Sequence, residues 1–260
     1  MMKKILFALL LINIVGCSSD NEGTNTDGSG AGMKIKSISE VVYYGSSTST
    51  KIGNFAYEGN KLVSLTDPTA NVVTKFVYAN NKITQFNVYQ NNTLVATQNV
   101  SYDGDNLKTV ITGSGNTKTE YFYENGILKA KKESTLYGNT WTENAGEEYR
   151  FDQNGNVTQV LSTSQYSTST LKSKYFHDNR NNPFKGQNPY LKYLLDFESF
   201  NVFDANNILT QERYSNAEST EPYGTTTYEI QYNANNYPVE IKKINSSNNA
   251  LIAKTTIVYN

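Results

Sequence analysis

A chain of 260 residues with formal net charge −1, built from 23 Lys and Arg against 24 Asp and Glu, has no basic excess with which to hold nucleic acid. Its length is ample for a buried core without disulfide or metal staples. The 20 Tyr and 11 Phe exclude a disordered chain and favour half-buried strands, while 17 Gly and the many Asn suit turns that need positive φ. The small lysine groups, Lys129 with Lys131 and Lys132, and Lys242 with Lys243, form no organised stripe and read as solvated strand faces.

The chain starts with Lys3 and Lys4, then an apolar run over residues 5–15, then Gly16 and Cys17, which is the only cysteine. The apolar run is shorter than the roughly 17 to 25 residues a membrane helix needs, and the order of charge, apolar run and small residue is that of an export signal. Asn13 to Cys17 resembles the lipobox of bacterial lipoproteins, with Asn13 in place of the usual Leu. The resemblance implies cleavage between Gly16 and Cys17 and lipid attachment at Cys17, so residues 1–16 are the expected signal. Removal of Lys3 and Lys4 takes the formal charge from −1 to about −3. Two or more acyl chains would make a stable tether to the membrane. Residues 17–33 read as the lipidated Cys and a polar, acidic, flexible linker. The run Ser18 to Glu22 resembles the signal that sends Bacteroidetes lipoproteins to the outer face of the outer membrane.

From residue 34 to 260 one β-rich domain is expected, built on a repeated unit of aromatic strand, Asx/Gly turn and apolar strand. Copies begin at Phe55, Phe76, Val100, Tyr121, Tyr149, Tyr175, Val202 and Ile230, and the last aromatic strand ends the chain. Taking Tyr57, Tyr78, Tyr102, Tyr123, Phe151, His177, Phe203, Tyr232 and Tyr259 as equivalent, the spacings run from 21 to 29 residues, the length of a hairpin plus its connection. Apolar residues two before the aromatic give the alternation of a strand with one packed face. Lys131 interrupts the apolar strand of its unit. The pattern predicts an all-β, repetitive antiparallel meander of roughly sixteen to eighteen strands, leaving open whether the sheet closes. One segment departs from it. Asn188 as cap, Pro189 at the first helical position and Tyr190, Leu191, Leu194, Leu195 and Phe197 at helical spacing predict a short helix near 188–198 that plugs an end or open face of the sheet.

Asp152-Gln153-Asn154-Gly155-Asn156 and Asp178 to Pro183 resemble the YD repeats of Rhs-type surface and toxin-shell proteins. Phe151 and His177 stand where the repeat has Tyr. With Asn181 to Lys185, the whole chain resembles YD-repeat-like outer-membrane lipoproteins of Bacteroidetes. That resemblance implies an extended twisted sheet and no particular activity.

Residues able to do chemistry are few. His177 is the only histidine and occupies a repeat aromatic position, so a His-based triad has one possible centre. No set of His or Cys offers a zinc site, and no cofactor-binding loop is present. Asp103-Gly104-Asp105-Asn106 looks briefly like a calcium loop, but Leu107 stands where the next oxygen ligand belongs. Asp103 with Asp105, and Glu147 with Glu148, are the carboxylate pairs a glycosidase would draw on. Trp141 and Tyr137 lie in the longest early insert and are candidates for stacking on a ligand. Residue content therefore predicts a non-catalytic binding or scaffold protein at the cell surface, contacting a glycan or a protein. The alternative is a carbohydrate-active protein, glycan-binding or working through carboxylates.

Overall fold

A computed structural model describes residues 32–165, 167–187, 191 and 204–260. Sixteen antiparallel strands follow one another: β1 (Ile35–Tyr44), β2 (Ser47–Glu58), β3 (Lys61–Asp67), β4 (Val72–Ala79), β5 (Lys82–Gln90), β6 (Thr93–Asp103), β7 (Asn106–Thr112) and β8 (Thr117–Glu124). The second half comprises β9 (Ile127–Tyr137), β10 (Thr140–Phe151), β11 (Val157–Ser164), β12 (Ser167–His177), β13 (Ile208–Tyr214), β14 (Gly224–Tyr232), β15 (Pro238–Asn245) and β16 (Ala250–Tyr259). Each strand pairs with the next, and β1 also pairs with β16, from Ile35 opposite Tyr259 to Val42 opposite Ala253. The meander closes into a barrel, so no edge strand is left to template aggregation. Signal, Cys17 and the expected helix near 188–198 lie outside the described residues, apart from Leu191, which is buried in the core cluster.

An up-and-down meander puts all odd-to-even connections at one end and all even-to-odd connections at the other. Ile35 and Tyr259 stand together at the end that also holds the Asx turns of the repeat, here called the near end. The tight near-end turns use residues that tolerate positive φ: Asn80-Asn81 and Asn125-Gly126 all have φ between 50° and 76°. The hairpins here share one irregularity. A register shift falls beside the repeat aromatic, between Ala56 and Tyr57, Val77 and Tyr78, Ser101 and Tyr102, Phe122 and Tyr123, and Arg150 and Phe151. Each gives the following strand one extra residue, a bulge that adds local twist and bends the sheet toward closure.

The bulge keeps the aromatic and the next buried aliphatic residue on the inner face. There the phenols tie one hairpin to the one before: Tyr78 donates to the Leu62 carbonyl at 2.8 Å, Tyr102 to Ile83 at 2.7 Å and Tyr259 to Pro238 at 2.9 Å. Burial pushes the Tyr78 phenol up to about 12, so it stays a neutral donor. All sixteen strands feed one hydrophobic cluster through fully or partly buried side chains, including Ile38, Leu62, Ile83, Leu107, Leu128, Val157 and Ile241. The near half of the barrel is thus filled rather than hollow.

Two of the expected repeat copies are halves of one hairpin. The unit at Tyr175 supplies β12 and the unit at Val202 supplies β13, and these pair directly with the shared bulge between Phe176 and His177. Residues 178–207 form an excursion between them. Asp-Asn turns fold the described part over the near end: Asp152 Oδ1 accepts the Asn154 and Asn156 amides, Asp178 Oδ1 those of Arg180 and Asn207, and Asp204 Oδ1 that of Val157 at 2.8 Å. Phe184 packs on Phe55 with ring centroids 6.3 Å apart. Gln187 accepts from the Tyr57 phenol at 3.3 Å and donates to the Met33 carbonyl at 2.6 Å, so the entering chain is stitched to this lid. At Gly32 a Cβ would collide with the Lys185 carbonyl, so only glycine fits there.

Candidate functional site

The far half of the barrel has different contents. Side chains that strand alternation turns inward there mix buried aliphatic residues, Val42, Val72, Val88 and Ala253, with polar ones: Glu40 opposite Lys51, and Gln98, Thr119, Lys131, Glu147, Thr226 and Thr255. Glu40 accepts from the Thr255 hydroxyl at 3.0 Å across the β1–β16 seam.

The densest charge cluster lies on β9 and β10. Lys131 is 3% exposed, with its ammonium 3.1 Å from Glu133 and 3.4 Å from Glu147. Tyr149 donates its phenol to Glu147. Burial first, then the charges of Glu147 beside Tyr149 and Glu133 beside Tyr121, hold both phenols well above their usual range, so both stay protonated. This corrects the reading of Lys131 as part of a solvated face. The bulge beside Tyr123 places Lys131 opposite Tyr121, on the inner wall, whereas its neighbour Lys132 faces out and pairs with Glu143 at 2.8 Å. The lysine in an apolar repeat position was the available signal for this cluster.

Beside it, β6 to β10 enclose a recess of about 310 Å³ that includes open solvent, lined by Gln98, Thr112, Thr117, Thr119, Glu133 and Asn144 among others. Most of these polar groups satisfy one another, as when Thr117 donates to Thr112 at 2.9 Å and Asn144 to Thr135 at 2.6 Å. Gln98 is the exception: it is 6% exposed and its Oε1 has no hydrogen-bond partner. A buried amide oxygen left unsatisfied costs on the order of 1–3 kcal/mol, which a donor brought by a ligand or water recovers.

Trp141 and Tyr137 are placed next to this recess, but not in a loop. β9 and β10 run on to a tight turn at Gly138-Asn139, with Tyr137 opposite Thr140 and Trp141 opposite Leu136. The long repeat spacing at this point comes from long strands. Alternation sends the two rings to opposite faces of the hairpin, and Lys118 lies over the Trp141 ring at 4.7 Å. Tyr137 is 60% exposed.

The other candidate residues do not converge. Glu147 and Glu148 are successive in β10 and point to opposite faces, so only Glu147 of that pair turns inward, where it shares Lys131 with Glu133, while the inward Glu40 stands apart at the β1–β16 seam. Asp105 is fully exposed in its turn and pairs with Lys82 at 2.8 Å. Among the described residues no group of three or more His, Cys, Asp or Glu is placed to hold a metal ion. His177 keeps the repeat position, with Nε2 3.0 Å from the buried Asp204 carboxylate. Burial raises the Asp204 carboxyl above its usual range, and His177 works against that shift. The pair belongs to the near-end lid, far along the strands from the recess.

The outer wall carries charge at mid-strand. Lys242 pairs with Glu229 at 3.7 Å and Lys254 with Glu240 at 2.8 Å, while Asn54, Lys75, Asn99 and Ser101 face out on the opposite arc. The described wall therefore lacks the apolar band about 25 Å tall that a bilayer-spanning barrel presents.

No protein-family model matches the chain, and neither does any curated protein. Among solved structures it is similar to a porin-like protein from Bacteroides uniformis ATCC 8492, at 11% identity over 87% of this chain and 98% of that one, with a TM-score of 0.53. A porin-like protein from Bacteroides vulgatus ATCC 8482 matches 88% of this chain and 99% of its own at 13% identity, with a TM-score of 0.45. A chain of the Photorhabdus luminescens Tc holotoxin pore matches at 12% identity over 78% of this chain and 9% of that one, with a TM-score of 0.32. The first of these likenesses shows the barrel fold, and the fold alone.

Proposed function

We propose that this chain is a lipid-anchored envelope protein whose barrel serves as a non-catalytic binding scaffold, held to the outer membrane through Cys17. One observation carries the binding part of this reading: the barrel is packed shut through its near half, while its far half holds buried polar groups and a partly open recess between β6 and β10. A filled barrel with a charged outer wall suits neither a through-pore nor insertion into lipid, and leaves the far end as the surface on which to receive something. Interior carboxylates do not argue for hydrolysis, because Glu133 and Glu147 share one buried ammonium and Glu147 also holds a phenol. Anchoring rests on the sequence from Lys3 to Cys17. Because the chain enters the barrel at the near end, a tether at Cys17 attaches on that side and leaves the far end as the one remote from the attachment point.

Replacing Cys17 by Ala in the full-length protein is expected to move it from the membrane fraction to the soluble fraction and to abolish labelling by a fatty-acid analogue. Retention of both membrane association and label in the variant overturns the anchor. Hydrolysis of a polysaccharide or peptide by the purified protein, lost on Glu147→Gln, replaces the scaffold reading with the carbohydrate-active one.

A further inference from the structure

The two ends of the barrel differ in charge as well as in packing. The described near-end connections contain Asp105, Asp152, Asp178, Arg180, Lys185 and Asp204. At the far end, the eight connections at 45–46, 68–71, 91–92, 113–116, 138–139, 165–166, 215–223 and 246–249 contain no Lys or Arg, and their only carboxylates are Glu218 and Glu221. Ser, Thr, Asn, Gln and Gly make up most of these connections.

The same end carries the most exposed aromatic rings among the described residues. Tyr44, Tyr137 and Tyr223 are 62%, 60% and 65% exposed, and they stand beside the β1–β2, β9–β10 and β13–β14 connections respectively. Leu94 and Val95, also exposed, follow the β5–β6 connection. Exposed apolar groups thus recur at every second far-end turn, four strands apart around the rim, or about 19 Å measured across the strands at their usual spacing. Between them the turns are small and polar.

From this arrangement we infer that the far-end rim binds an uncharged polysaccharide, with Tyr137, Tyr223 and Tyr44 as stacking platforms. The inference rests on the binding reading above and gives that surface its ligand class. A sugar ring offers an apolar face of C–H groups and an edge of hydroxyls, which match an isolated exposed phenol ring set among amides and hydroxyls. Polyanionic glycans find no Lys or Arg within the rim connections, the nearest ammonium groups being Lys172, buried and held by the Ala217 and Ser219 carbonyls, and Lys118, paired with Glu120, and Glu218 and Glu221 repel them. A protein partner calls for a contiguous, well-packed apolar centre, and rings four strands apart do not make one. Just inside the β9–β10 hairpin, the unsatisfied Gln98 Oε1 gives one sugar hydroxyl a buried acceptor.

Affinity electrophoresis of the full-length protein in detergent tests this, with dextran, mannan and xyloglucan as uncharged probes and polygalacturonate and dextran sulfate as charged ones. At least one uncharged polymer is expected to retard the protein and the charged ones are not. Tyr137→Ala and Tyr223→Ala are each expected to weaken that retardation by about fivefold, whereas Phe122→Ala, which removes an exposed ring from the outer wall, leaves it unchanged. Equal retardation by polygalacturonate, no retardation by any uncharged polymer, or indifference to both tyrosine substitutions overturns the inference. Those results leave the scaffold reading standing if membrane release on Cys17→Ala persists, so the two fail separately.

Discussion

The near and far ends of this barrel are built from the same strands by different rules. At the near end, the early units repeat one geometry: an Asx/Gly turn, a bulge beside the aromatic, and an aliphatic residue, Leu62 or Ile83, sealed beneath the next phenol. That geometry leaves little room for substitution, because the turn needs positive φ, the bulge needs the register and the phenol needs its carbonyl. At the far end the turns vary in length and the interior includes buried polar groups, so single changes disturb few neighbours. Elements that close a fold are repeated, and elements free to vary are available for recognition.

The largest expected break in that contrast comes from Phe184, which is buried against Phe55 inside the near-end lid. Phe184→Ala removes a core aromatic and leaves a cavity, at a cost of about 3–5 kcal/mol. Tyr223→Ala at the far end is expected to stay within about 0.5 kcal/mol of the parent, as a surface substitution does. Chemical denaturation of both variants measures the difference. Comparable losses from the two would show that the ends are equally committed to stability.

The phenol ladder sharpens the comparison with a smaller effect. Tyr78→Phe keeps the ring on the inner wall and deletes the hydrogen bond to the Leu62 carbonyl, for an expected loss of about 1 kcal/mol. Tyr137→Phe, whose phenol lies at the exposed rim, is expected to leave stability unchanged. A neutral Tyr78→Phe would mean that the ladder follows from the repeat without supporting it.

How much of this was legible beforehand follows from the same contrast. The aromatic-turn-aliphatic period exposed the meander and its approximate strand number, because each residue of the unit has a fixed local task. Closure was not legible, since it depends on Ile35 finding Tyr259 across the whole chain, a pairing no local pattern encodes. The units at Tyr175 and Val202 look alike locally, yet share one hairpin, with the described part of the segment between them packed over the barrel end. Lys131 misled because a lysine in an apolar position reads as exposed, whereas two inward carboxylates pay for its burial. The far-end site left a faint mark: Tyr137 and Trp141 stood out as aromatic residues, but that the connections at this end contain no Lys or Arg appeared only once alternate turns were gathered onto one rim.

The smallest effect is a dependence on pH confined to the near end. Asp204 is fully buried, and burial holds its carboxyl above the usual value of about 4 despite the nearby His177. A carboxyl whose folded-state pKa exceeds its unfolded-state value binds its proton more tightly in the folded barrel. Its contribution to stability is therefore fully present below the unfolded-state pKa and is lost as pH rises through the folded-state value. Asp204→Asn keeps an oxygen to accept the Val157 amide and removes the titration. Over the interval just above the ordinary carboxylate range, the parent is expected to lose stability relative to Asp204→Asn, and the protection of the Val157 and Asn206 amides against hydrogen exchange, corrected for the intrinsic rise with pH, is expected to fall in the parent alone. Far-end amides such as those of Gly113 and Gly115 should exchange at the same rate in both proteins throughout. If the substitution instead alters both ends equally, the lid and the rim are one cooperative unit, and the division between a closing end and a recognising end does not extend to their dynamics.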